Sequence, residues 1–330
     1  MIYQRDYTLD LVRICAMFLI VLMHSPIPNS ASGIIMSGAS YVTMPGIGLF
    51  FMVSGALLLN NKLPQRDFLN RRFSKILWPT LFWTVFYIGM NFITTPFSVT
   101  YATKTFFNIP FAAQGNGVLW FMYALAGLYL LTPILAKWLH GTSKKEIELY
   151  LLLWGVSLIY PYLSLLHIDI NDSPSGILYY FSGYAGYYLL GFYLKQHYRY
   201  QHWHLIAAVV VGLLTPVIIL ALNIEFDFLN LFGYLSFPIA CLSFAYWLTI
   251  HKTKITTSGR MHMVKTSSLC FGIYFIHIFV MRNIIWQVPI IKSLSGPISI
   301  IFIAIITFIT SWGICYLINK LPFSKYIIGI

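Results

Sequence analysis

The chain has 330 residues, of which 58% are hydrophobic, 18% aromatic and only 9% charged, with a mean hydropathy of +0.75 and a formal net charge of +12. About a quarter of the residues in a soluble domain are charged, so this composition excludes an ordinary water-soluble protein and makes the bilayer its main solvent. The positive balance does not point to a nucleic-acid partner, because the placement of the charges follows membrane topology.

A spanning helix needs about 20 largely apolar residues. Ten such runs can be drawn, near residues 8–25, 40–60, 76–94, 118–138, 147–167, 176–194, 204–222, 228–250, 267–288 and 297–319. The first contains Arg13 and ends at His24-Ser25-Pro26 without an Ala-x-Ala-like cleavage site, so it reads as a helix and not as a removable signal peptide. The second carries Phe50-Phe51-Met52-Val53-Ser54-Gly55. Small residues in this position suit close helix packing better than a nucleophile, since there is no Gly-x-Ser-x-Gly elbow.

A basic loop with Arg66, Arg71, Arg72 and Lys75 leads into the third run, and Trp120-Phe121-Met122-Tyr123, with Tyr129 and Pro133, forms the fourth. The connection between them, from Thr94 to Gly117, carries Pro96, Pro110, Gly115 and Gly117 and is the expected lid or acceptor-binding surface. Other outer loops hold Asp169, Asp172, Glu225 and Asp227. The ninth run contains Gly272-Ile273-Tyr274-Phe275-Ile276-His277. Cys15, Cys241, Cys270 and Cys315 all fall within runs, without disulfide or metal-ligand spacing, and no His pattern defines a metal site, so no metal is expected.

Taken alternately from the N-terminus, one set of loops collects 17 lysines and arginines and the other only Lys104, Arg282 and Lys292. Positive charge near span ends marks the cytoplasmic side. The expected fold is therefore an all-α integral membrane protein: a bundle of about ten transmembrane helices with both termini cytoplasmic, forming a single domain over 1–330 with no separate soluble domain.

Arg13 and His24 are eleven residues apart on the first helix. At about 100° and 1.5 Å per residue they share a face and stand ~16 Å apart along the axis. An arginine inside a span usually faces a polar cavity, so this stripe is a candidate pathway. A snorkelling arginine and an interfacial histidine are the plain alternatives.

Leu9-Asp10-Leu11-Val12-Arg13 followed by His24 resembles the opening of the acyltransferase-3 membrane family, whose signature is an arginine or lysine with ten residues between it and a histidine. Phe50–Gly55, Arg71-Arg72-Phe73 through Pro79, the Trp120 segment and the segment ending at His277 resemble the family's later motifs in order. The resemblance covers nearly the whole chain.

It implies transfer of an acyl group, usually acetyl from acetyl-CoA, to a hydroxyl of a surface glycan or lipid-linked saccharide, in a bacterial inner membrane. The chain resembles the compact stand-alone members that acetylate enterobacterial common antigen or other surface polysaccharides. The residues fit that chemistry. Arg71, Arg72 and Lys75 are candidates for the phosphates of the donor, although topology alone also predicts basic inner loops. His24 is the candidate base or acyl relay, with Arg13 lining the donor path or stabilising charge near the thioester. Asp10, the acidic residue within the first run, would support Arg13 or a basic loop. Trp120, Tyr123, Tyr274 and His277 are candidate substrate contacts, with helix packing as the alternative for each. The rival class is a transporter or flippase of a lipid-linked saccharide, which the scarcity of buried carboxylates disfavours.

Overall fold

The computed structural model describes residues 5–25, 33–94, 98–108, 119–163, 165, 176–222, 227–294 and 297–330, and among these there are helices and turns but no strands. In chain order the helices are α1 (Tyr7–His24), α2 (Gly33–Thr43), α3 (Pro45–Leu58), α4 (Gln65–Thr94), α5 (Val99–Asn108), α6 (Trp120–Leu139), α7 (Lys144–Ser157), α8 (Tyr160–Leu163), α9 (Ala185–Gln196), α10 (His202–Ala221), α11 (Phe228–Phe232), α12 (Phe237–His251), α13 (Thr257–Asn283), α14 (Pro289–Lys292), α15 (Pro297–Ile318) and α16 (Ser324–Ile327). A helix or a pair of helices meets each of the ten apolar runs. The second run is divided at Pro45, which lacks an N–H and therefore suits the first turn of a new helix.

Among the described residues, six segments are long and apolar enough to cross a membrane alone: Tyr7–His24, Ser37–Leu58, Trp120–Leu139, His202–Ala221, Gly259–Gln287 and Ile298–Ile318. The protein is thus a multi-pass membrane protein. Burial sorts these helices into layers. The Ser37–Leu58 segment is 83% buried and central, whereas His202–Ala221 is only 17% buried and turns Val210, Leu213, Leu214 and Val217 outward. In water such an exposed apolar face would be costly, but in lipid it is at rest.

Close packing in the centre depends on glycine. A Cβ on Gly55 would overlap the carbonyl of Tyr188, and one on Gly191 would overlap the carbonyl of Met52, so α3 and α9 touch backbone to backbone. Ser54 returns its hydroxyl to the Phe50 carbonyl at 2.9 Å. The Ser54-Gly55 pair is a packing element, as its residue types suggest.

One end of the bundle gathers the basic loops. Asp6 caps α1 by accepting from the Thr8 and Leu9 amides at 3.1 and 3.4 Å and lies 3.7 Å from Lys195. Arg260 stacks over Tyr7, and Lys265 and Lys320 both sit over Tyr316. The alternation of charge along the chain requires this convergence. In the expected lid only α5 is described. Pro96, Pro110, Gly115 and Gly117 lie outside the described residues, as do His167, Asp169, Asp172 and Glu225.

Candidate active site

Helix α13 runs beside α1 in the same direction, and Ser267, Cys270, Tyr274 and His277 fall on the face it turns to that neighbour. At the basic end, Asp10 accepts from Arg5 Nε at 2.7 Å and Nη2 at 3.0 Å. It also accepts from the Ser267 hydroxyl at 2.6 Å, and the same hydroxyl accepts from Arg13 Nη1 at 3.2 Å. Cys270 Sγ lies 3.9 Å from the Arg13 carbonyl. Asp10 is therefore paired with Arg5, and Arg13 reaches it through a hydroxyl, so among the described residues Arg13 forms no ion pair.

Two cations from α4 join Arg13. Arg72 and Arg13 both act on Lys75 as like charges. Arg72 is half-buried, with its guanidinium 5.9 Å from the Phe68 ring, and both it and Arg13 reach the buried Tyr129 electrostatically. Phe68 and Tyr129 meet edge to face at 6.4 Å, which ties α4 to α6. Among the described residues neither Arg72 nor Lys75 forms an ion pair with a carboxylate. Unpaired cations crowded together disfavour one another and favour a multivalent anion. Arg71 is exposed, as Lys75 is, and its carbonyl accepts from the Ser74 hydroxyl at 3.3 Å, but no electrostatic contact joins it to Arg13 among the described residues. It stands outside this group.

At the other end of the same two helices, the rings of His24 and His277 meet edge on, with centroids 5.3 Å apart and planes at 62°. His24 Nδ1 is 2.8 Å from the Ile20 carbonyl, and His277 Nδ1 is 2.6 Å from that of Tyr274 and 3.2 Å from that of Ile273. A carbonyl oxygen only accepts, so Nδ1 carries the proton on both rings and each Nε2 keeps its lone pair. His277 is fully buried, and its Nε2 has no hydrogen-bond partner among the described residues. Leaving such an atom unpaired costs about 1–3 kcal/mol, a cost that packing alone does not explain.

Aromatic rings wall the histidines. Tyr274 lies 5.9 Å from His277 and 5.4 Å from Phe121 between centroids. Trp120 packs on Tyr184 and Tyr234 at 5.4 and 5.3 Å, and the Tyr234 hydroxyl reaches Met23 Sδ at 3.6 Å, next to His24. Tyr123 faces elsewhere. It lines an apolar cavity of about 290 Å³ between α4 and α6, with Phe73, Thr80 and Met122. Sequence reasoning missed Ser267, Tyr184 and Tyr234. Ser267 could have been found, because it lies ten residues before His277 on one helical face; the two tyrosines carry no comparable signal.

Residues 6–316 match the model of the acyltransferase domain of the acyltransferase-3 family. The chain belongs to this family. No curated protein and no solved structure matches it. Membership makes the protein a membrane acyltransferase, and so a user of an acyl donor. Among the described residues no group of three His, Cys, Asp or Glu side chains is placed to hold a metal ion.

Proposed function

We propose that the protein is an O-acetyltransferase of a bacterial inner membrane, with ten spans and both termini cytoplasmic, moving acetyl from cytoplasmic acetyl-CoA to a hydroxyl of a surface polysaccharide or lipid-linked saccharide. The observation that carries this reading is the adjacency of His24 and His277 at one end of α1 and α13, with the unneutralised Arg13, Arg72 and Lys75 at the other. The two ends are ~16 Å apart on α1. The arm between the pyrophosphate and the thioester of coenzyme A has about a dozen bonds and extends about 15 Å. Phosphates held at the cationic end therefore bring the thioester to the histidines.

Nε2 of His24 takes the proton of the acceptor hydroxyl as its oxygen attacks the thioester carbonyl. The imidazolium then gives that proton to the departing thiolate, so the ring ends neutral and free coenzyme A leaves as the thiol. His277 supports the same region with a second lone pair. Arg13, Arg72 and Lys75 bind the donor, with Arg71 available at the rim. Trp120 and Tyr274 offer rings to the acceptor, and Tyr123 borders the α4–α6 cavity.

The test is transfer of label from radioactive acetyl-CoA to lipid-linked glycans by purified protein in nanodiscs. His24→Ala is expected to lower transfer by about 10²–10⁴-fold with donor binding retained. Arg72→Ala is expected to weaken donor binding by about tenfold or more, as lost charge-assisted bonds do. Movement of unmodified glycan across the membrane, with no donor binding and no transfer, would replace this reading with that of a carrier.

A further inference from the structure

Hydroxyls inside the helices of this protein mostly return to the carbonyl four residues back: Thr84 to Thr80 at 2.7 Å, Thr132 to Leu128 at 2.7 Å and Ser243 to Ile239 at 2.8 Å. Thr307 and Ser311 on α15 do not. Both are fully buried, and their hydroxyl oxygens are, like His277 Nε2, without a hydrogen-bond partner among the described residues.

Their height in the bundle follows from contacts on either side. A Cβ on Gly272 of α13 would meet Cys315 Sγ at 2.9 Å, and Phe18 of α1 meets Phe308 of α15 at 5.8 Å between ring centroids. Cys270, two residues before Gly272, lies against the Arg13 carbonyl. Helix α15 therefore descends beside α1 and α13, with Cys315 near the level of Arg13 and Phe308 near that of Phe18. Ser311 falls between those levels, and Thr307 lies just beyond Phe18 on the way to His24. Thr307 and Ser311, one turn apart, share the buried face of α15 with Ile300, Ile303 and Ala304.

We propose that Thr307, Ser311 and Nε2 of His277 form the hydrogen-bonding track for the amide-bearing arm of the acyl donor within the membrane. The inference rests on the acetyl-CoA reading above and extends it to residues outside the family motifs. The arm carries two secondary amides, each with one N–H and one carbonyl, and in an apolar seam each unpaired group would cost several kcal/mol. His277 Nε2 can only accept, so it takes an amide N–H; the two hydroxyls can donate to amide carbonyls. In the donor, two methylenes and the sulfur separate the last amide nitrogen from the thioester carbonyl, a distance of roughly 5 Å. The His277 and His24 rings are 5.3 Å apart. An amide bonded to His277 thus sets its thioester beside His24.

The experiment compares wild type with the double variant Thr307→Val, Ser311→Ala, and with Thr307→Ser, for binding of acetyl-CoA and of adenosine bisphosphate, the phosphate-bearing half of the donor without its arm. Two lost neutral hydrogen bonds are expected to raise the Kd of acetyl-CoA about tenfold. Adenosine bisphosphate binding should be unchanged in the double variant, Thr307→Ser should bind like wild type, and the Tm of the double variant should hold or rise, because removing orphaned hydroxyls relieves a burial cost. An unchanged Kd for acetyl-CoA overturns the track, as does equal weakening of both ligands. Wild type that binds neither ligand and transfers no acetyl group removes the donor reading itself, and the track with it.

Discussion

Ser267 is the residue on which the basic end of the site turns. Its single hydroxyl gives its proton to Asp10 and its lone pair to Arg13, so it holds the guanidinium in place without neutralising it. Ser267→Ala leaves Arg13 charged but unanchored. The expected outcome is a KM for the acyl donor raised by about fivefold with kcat within about twofold of wild type, since of the two bonds lost the one that anchors Arg13, worth roughly 1 kcal/mol, bears on the donor and lies away from the reacting atoms. Steady-state kinetics check it, and Ser267→Thr should restore the wild-type KM. An equal fall in kcat would instead place this hydroxyl in the chemistry. Arg13 and His24 could be read as a stripe from sequence because helical spacing puts them on one face. The bond from Arg13 to Ser267 could not, because it joins positions 254 residues apart and no local pattern records which helix a stripe will face.

Helices α3 and α9 show why much of the element-level arrangement is also hidden. A helix buried on nearly every side has no polar face, so its sequence gives its length and not its neighbours. Only the glycines hint at the contact. Gly55→Ala and Gly191→Ala would each drive a methyl group into a facing carbonyl, and overpacking of this kind costs about 1–3 kcal/mol or more. Both variants are expected to lower the Tm of the detergent-solubilised protein by several degrees, whereas Gly127→Ala on α6, which faces open space, should leave it unchanged or raise it slightly through helix propensity. Equal Tm values for all three would refute the backbone contact between α3 and α9. Helix positions, by contrast, were legible almost throughout, because apolar length is what a bilayer demands. The breaks at Pro45 and between α7 and α8 appear only in the structure.

At the scale of the whole molecule, the orientation proposed from the charge asymmetry can be measured directly. Among the described residues all four cysteines are unpaired, so they can be replaced before single new cysteines are introduced. Lys292→Cys should react with a membrane-impermeant maleimide in intact spheroplasts, and Lys254→Cys only after the membrane is opened. Labelling of both from the same side would break the alternation on which the ten-span topology rests. The parallel pairing of α1 with α13 bears on how such a protein is made. The ribosome delivers α1 first and α13 more than two hundred residues later, and ribosomes add about 5–20 residues each second. For that interval of many seconds, the nascent chain holds His24 and Arg13 without His277 or Ser267. Biosynthesis thus supplies a built-in delay: an unfinished chain lacks half of each end of the candidate site until α13 is in the membrane.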